Sequence, residues 1–216
     1  MKNYLFKLRP FNRLRLKLTL TIFLPVFLVS ELLVFSQHMH DPNKCGTWRW
    51  DIKTLTDKEG PALLTRKPIQ TSFNQLVMEK PPKVLYDNNR SDGLLPRYPT
   101  EDLVVEIDAY VVKMKYEQDD HDLHLILRSV SSGETMVGEI PDPGCPTFNT
   151  FPELRNWFRK TREEGYKIWE ELKKTHIPVK VRIIGVPFWD GTHSQRPSGA
   201  SEYYREIHPV LRIITE

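Results

Sequence analysis

Acidic residues and histidines gather at three places in this chain. The first is Asp119-Asp120-His121-Asp122-Leu123-His124, the second Asp190-Gly191-Thr192-His193, and the third Glu206-Ile207-His208-Pro209. Carboxylate oxygens with imidazole nitrogens suit either a divalent metal ion or proton transfer near neutral pH. Spacing decides which of these side chains can act together. Residues two apart on a strand share a face, so Asp122 pairs with His124 and Glu206 pairs with His208. A metal-dependent phosphodiesterase would draw on Asp122, Glu139, Glu206 and His208. The candidate polar site is therefore Asp122, His124, Glu139, Glu206 and His208, with Asp190 and His193 as additional members. The same pattern also fits a solvated strand face, and Glu117 to Asp122 also fits a hairpin turn, so both readings stay open. The chain has no His-Glu-x-x-His, P-loop, G-x-S-x-G or G-x-G-x-x-G signature.

The elements that must position these residues are legible from periodicity. Leu103 to Tyr116 alternates β-branched and polar residues and predicts a strand. Asp122 to Val130 predicts a second strand, with Leu123, Leu125 and Leu127 on the face opposite Asp122 and His124. Thr135 to Ile140 predicts a third. Apolar positions at three- and four-residue spacing from Glu153 to Lys174 predict an amphipathic helix that Pro178 stops. Its Trp157, Phe158 and Trp169 read as core. Strands then follow from Val179 to about Phe188 and from Ile207 to Ile214. The order β-β-β-α-β-β is that of an OB-like five-stranded barrel, mainly β with one long helix, and also serves an open α+β sheet. Before it, Cys45 to Thr54 predicts a short strand. The prolines between Asp57 and Thr100 predict an extended segment packed on the domain. Domain boundaries are expected at 1–36, 37–100 and 101–216. Trp189, Tyr203 and Tyr204 fall in a predicted loop, where they are candidates for stacking on a base or sugar ring.

The N-terminus reads as an export signal or membrane anchor. Six basic residues from Lys2 to Lys17 precede the uncharged run Leu18 to Ser30. That order keeps the basic flank in the cytoplasm and delivers the rest across the membrane. The 13-residue run is short against the roughly 20 residues of a spanning helix, which favours a cleaved signal with the cut at Ser36/Gln37. Glu31 interrupts the apolar stretch. Six of the chain's 31 basic residues and one of its 28 acidic residues lie in this leader. The remainder carries 25 against 27, a net of −2, so composition shows no basic patch for duplex nucleic acid. Membrane contact is expected only through the N-terminal segment, and the localisation expected is secreted, periplasmic or anchored outside the cytoplasmic membrane. Beyond the leader stand two cysteines, Cys45 and Cys145. In an exported domain such a lone pair is expected as a disulfide. Asn89-Arg90-Ser91 is the one glycosylation sequon.

Several motifs resemble a family of mostly bacterial exported proteins of uncharacterised activity. They are Cys45-Gly46-Thr47-x-Arg49-Trp50-x-x-Lys53-Thr54, Asp122-Leu123-His124-Leu125-Ile126-Leu127, Glu139-Ile140-Pro141-Asp142-Pro143-x-Cys145 and Glu206-Ile207-His208-Pro209-Val210. The likeness spans Cys45 to the C-terminus. It implies export and the cysteine pair but no mechanism. Trp48 and the polar loop after Asp190 depart from the family's pattern, which weakens any role carried to His193.

Three functions remain. The leading one is an exported OB-like module that binds an oligosaccharide, a peptide or single-stranded nucleic acid on its barrel. The second is a metal-dependent hydrolase resembling thermonuclease-type phosphodiesterases, whose possible cofactor is a divalent metal ion. The third is a structural envelope protein. Neither partner nor ligand is identified by the sequence.

Overall fold

The structure is a computed structural model, and it describes residues 45–46, 48–82, 95–191 and 198–215. All of these fall in one unit, 40–216. The leader, the sequon at Asn89 and the candidate His193 lie outside the described residues.

Five strands close into a barrel: β2 (Val105–Tyr116), β3 (Leu123–Ser129), β4 (Thr135–Ile140), β5 (Val179–Trp189) and β6 (Arg205–Thr215). Their order around the ring is β2-β3-β4-β6-β5, and β5 returns to β2. β4 pairs with β6 in parallel, while the other ring pairs are antiparallel. A two-residue strand, β1 (Ile69–Gln70), adds to β2 outside the ring. With the helix between β4 and β5, this is the OB-like α+β architecture expected from the order of elements.

Alternation assigns the two faces of β3 and β4. Leu123, Leu125 and Leu127 oppose Ile140, Gly138 and Met136, and these side chains belong to the hydrophobic core. Three of the leucines are fully buried. Asp122, His124 and Glu139 therefore face the other way.

The long helix, α3 (Pro152–Thr175), closes one side of this core. Pro152 starts it, where a missing N–H costs nothing, and His176 ends it in the left-handed region (φ 57). Its buried face carries Leu154, Phe158, Gly165, Ile168 and Leu172. Gly165 permits a close approach: a β-carbon there would stand 3.0 Å from Leu123 Cδ2 and 3.2 Å from Ile140 Cδ1, so those side chains would have to yield. Trp157 Nε1 and Thr161 Oγ1 both donate to Leu211 O at 2.8 Å, which fixes the helix against β6. Arg162 donates to Ile140 O and Pro141 O at 3.1 Å. It also donates to His121 O, so α3 braces the loops on either side of Asp122.

Residues 48–82 do not make the predicted strand at Cys45 to Thr54. They form α1 (Trp50–Lys53), a 3-10 turn (Gly60–Thr65) and α2 (Phe73–Val77). The physical reason is local burial: Arg49 adopts φ 49 and turns inward, so Trp50, Ile52 and Lys53 are buried along one short helix. The Cys45–Cys145 disulfide is present and joins the start of this segment to the loop after β4.

Candidate functional site

Each strand contributes through its register. His124 and Glu139 are direct cross-strand partners in β3 and β4, and Glu206 stands opposite Phe188 of β5. Glu206 and His208 share a face because they are two apart in β6. The result is one buried cluster holding all five main candidates. Asp122 and His208 have no exposure, and His124, Glu139 and Glu206 are buried as well.

Glu139 is the bridge. One of its oxygens, Oε1, accepts from His124 Nδ1 at 2.8 Å, and Oε2 lies 2.9 Å from His208 Nδ1. The same His208 nitrogen is 3.1 Å from Glu206 Oε1. The other ring nitrogen, Nε2, lies 3.2 Å from Asp122 Oδ2, although out of line for a hydrogen bond. Asp122 is in turn oriented by the Asp142 N–H, which donates to its Oδ1 at 3.2 Å. Glu117, at the end of β2, reaches His124 Nδ1 at 3.3 Å from a more open position.

Lys53 completes the cluster from α1. Its ammonium is 3.3 Å from Asp190 Oδ1 and 3.8 Å from Glu206 Oε1. Asp190 is thus brought beside the cluster through Lys53. The sequence reading missed Lys53 because no local pattern distinguishes it. Its only signal is membership of the Arg49-Trp50-x-x-Lys53-Thr54 motif.

Electrostatics follow from burying more carboxylates than cations. Burial opposes the charge on Lys53, but Asp190, Glu206, Glu139 and Asp120 outweigh it and raise the ammonium above its ordinary value. Burial and Lys53 oppose the charge on His208. Its contacts with Asp122, Glu139 and Glu206 outweigh both and raise it well above its ordinary value. For Glu139, burial favours the neutral acid, yet bonds from His124 and His208, with the charges of His208 and Lys53, hold it well below the usual range. Glu206 is pushed up to about 7, first by burial and then by Asp190. Asp120 is pushed up to about 6, by burial and then Asp122 and Glu139. The carboxylates have thus been driven apart, one firmly ionised and two protonating near neutrality.

Two sets of ligand atoms lie close enough to hold one ion: Asp122, Glu139 and His208, and Glu117, His124 and Glu139, each within 4.8 Å. Both histidines direct Nδ1 to a carboxylate and leave Nε2 buried without an aligned partner. The residues present therefore fit a divalent cation.

One expectation is corrected here. Trp189 is not on a loop: it ends β5 and is buried, with Arg205 stacked 3.7 Å over its ring. It offers no stacking surface. Tyr203 and Tyr204 do precede β6 in a turn and are half-buried. A cavity of about 230 Å³ beside Arg49, Asp57 and Arg97 is separate from the cluster and touches none of the five residues.

No family model, curated protein or solved structure matches this chain.

Proposed function

We propose that this is an exported protein whose OB-like barrel carries a divalent-cation centre and works as a metal-dependent hydrolase. One observation carries the reading: Asp122, Glu139 and His208, from three different strands or their approaches, bring ligand atoms within 4.8 Å of one another in a buried site. Carboxylates outnumber cations there, and a divalent ion relieves that imbalance.

Such an ion supplies Lewis-acid charge and lowers the pKa of a bound water. Without the ion, Glu206 protonates at about 7, in the range used for proton transfer near neutral pH. Lys53 holds Glu206 and Asp190 in place and offers positive charge beside them. Access is from the rim, where the Glu117 and Asp190 side chains are 30% and 17% exposed.

Export rests on the basic, apolar leader and agrees with the disulfide. Among the described residues no helix is long and apolar enough to cross a membrane. The binding-module reading loses one of its three aromatics, since Trp189 is covered, and keeps Tyr203 and Tyr204.

The test is cleavage of DNA, RNA and a model phosphodiester with magnesium, calcium or manganese. Turnover that needs the cation and falls in Glu206→Gln supports the proposal. Cation binding without turnover on any of these substrates leaves a cation-stabilised binding module. Neither binding nor turnover leaves a structural network that pins α1 to the barrel.

A further inference from the structure

Arg205 is buried to 1% exposure, yet among the described residues Nε, Nη1 and Nη2 of its guanidinium all lack an aligned hydrogen-bond acceptor. Its carboxylate neighbour is Glu79, whose Oε2 lies 3.0 Å from Nη2 but off the N–H axis, on a side chain 32% exposed. Arg49, the other fully buried arginine, has partners for both terminal nitrogens, and only its Nε lacks one. It pairs in a fork with both oxygens of Glu101 and donates also to Pro96 O.

The Arg205 plane is fixed. It stacks 3.7 Å from the centre of the Trp189 ring, and the two residues are cross-strand partners of β5 and β6. The Trp189 indole N–H is likewise buried without an acceptor. Stacking occupies a face of a guanidinium and leaves its edge, which is the part that recognises oxyanions in a fork. Donors in surplus beside a fixed edge ask for an acceptor group. Burial holds the Arg205 pKa down at about 10 although Glu79 and Glu101 oppose this, and Arg49 adds to the lowering. The site is thus short of negative charge, the reverse of the cluster around His208. Arg205 lies on the opposite face of β6 from Glu206 and His208, so the two sites are distinct and stand or fall separately.

We propose that Arg205, braced by Trp189, binds the oxyanion group of a small ligand, a phosphate or a carboxylate, edge-on through its guanidinium, displacing Glu79. A plain structural plug is the alternative, with Glu79 and the more distant Glu101 and Glu206 as its charge compensation.

The experiment titrates the intact protein with inorganic phosphate and, separately, with acetate. It follows tryptophan fluorescence and the Arg205 Nε–H resonance. Saturable changes in one arm are expected, and the arm that responds identifies the oxyanion. Arg205→Lys removes the fork and is expected to weaken binding about tenfold or more, the loss of a charge-assisted hydrogen bond. Glu79→Gln removes the competing carboxylate and is expected to tighten binding, which keeps the test decisive if Arg205→Lys folds poorly. No saturable response to either anion in the folded wild type overturns the proposal. So does a response that neither substitution changes.

Discussion

His208 Nε2 stands 3.2 Å from Asp122 Oδ2, with both side chains wholly excluded from solvent and neither atom in an aligned hydrogen bond. The contact joins the approach to β3 with β6, strands that flank β4 in the ring. It places an unsatisfied donor-acceptor pair beside Glu139, which already serves both histidines. Proton and cation compete for such a place, and the predictions turn on that competition.

Glu139 should be the most costly member to neutralise. Glu139→Gln removes the charge and leaves one acceptor oxygen where two now face His124 Nδ1 and His208 Nδ1, with both rings still buried. Breaking a buried ionic network from one side costs about 3 kcal/mol or more. Urea denaturation of the cation-free protein checks this, and a loss below about 1 kcal/mol counts against a tight network.

The cation-free domain should be more stable in mild acid than in mild base. Glu206 and Asp120 have raised folded values, about 7 and about 6, so folding favours their protonated forms. Their ionisation costs stability as pH climbs from their ordinary values, 4.5 and 3.8, towards those folded values. His208, also raised, contributes fully below 6.5, and that contribution is lost as pH passes its higher folded value. Glu139 is depressed, so its contribution is present above 4.5 and lost as pH falls through its folded value. Thermal melts in chelator should give a higher Tm at about pH 5.5 than at about pH 8. The reverse order contradicts the assigned shifts.

Lys53→Met keeps the length of the side chain and deletes its charge. With the ammonium beside Asp190 and Glu206 gone, the cation-free variant should lose about 2 kcal/mol near pH 8 and less near pH 5.5, where Glu206 is protonated. The same variant should bind a divalent cation more tightly, because a competing positive charge has gone. Equal losses at both pH values would show that Lys53 acts through packing alone.

The bridge between Cys45 and Cys145 closes a separation of 100 residues. It tethers the segment that carries Arg49 and Lys53. Replacing both cysteines by alanine should cost about 4–5 kcal/mol in the chain-entropy view, read as a fall in the urea midpoint. If the chain is exported and cut as its leader implies, mass spectrometry of the secreted form should begin at Gln37. A mass that includes residues 1–36 identifies the leader as an anchor.

Much of the scaffold could be read from residues alone, for a simple reason. The strands β2, β3 and β4 alternate cleanly, and α3 repeats its apolar face over six turns, so local period and tertiary role agree. The pairs Asp122 with His124 and Glu206 with His208 were visible because a two-residue spacing on a strand is itself geometry. Lys53 was not, since its partners come from β6 and the residue after β5, and nothing local records that. Trp189 was misplaced because the polar stretch after it resembles a loop boundary, while the cross-strand pairing with Arg205 that buries it is long-range. The strand expected at Cys45 to Thr54 failed for a related reason. Its aromatic and β-branched residues are used to bury a short helix rather than to enter a sheet.

Cation binding itself is the most direct test. Isothermal titration of calcium and of manganese into chelator-treated wild type should show one saturable site per chain. At about a hundredfold excess over Kd, the cation should raise Tm by about 5 °C. Asp122→Asn, nearly identical in shape, should abolish the binding while keeping the barrel's circular dichroism. Wild type that is folded yet binds neither ion, or Asp122→Asn that binds as wild type does, contradicts the account.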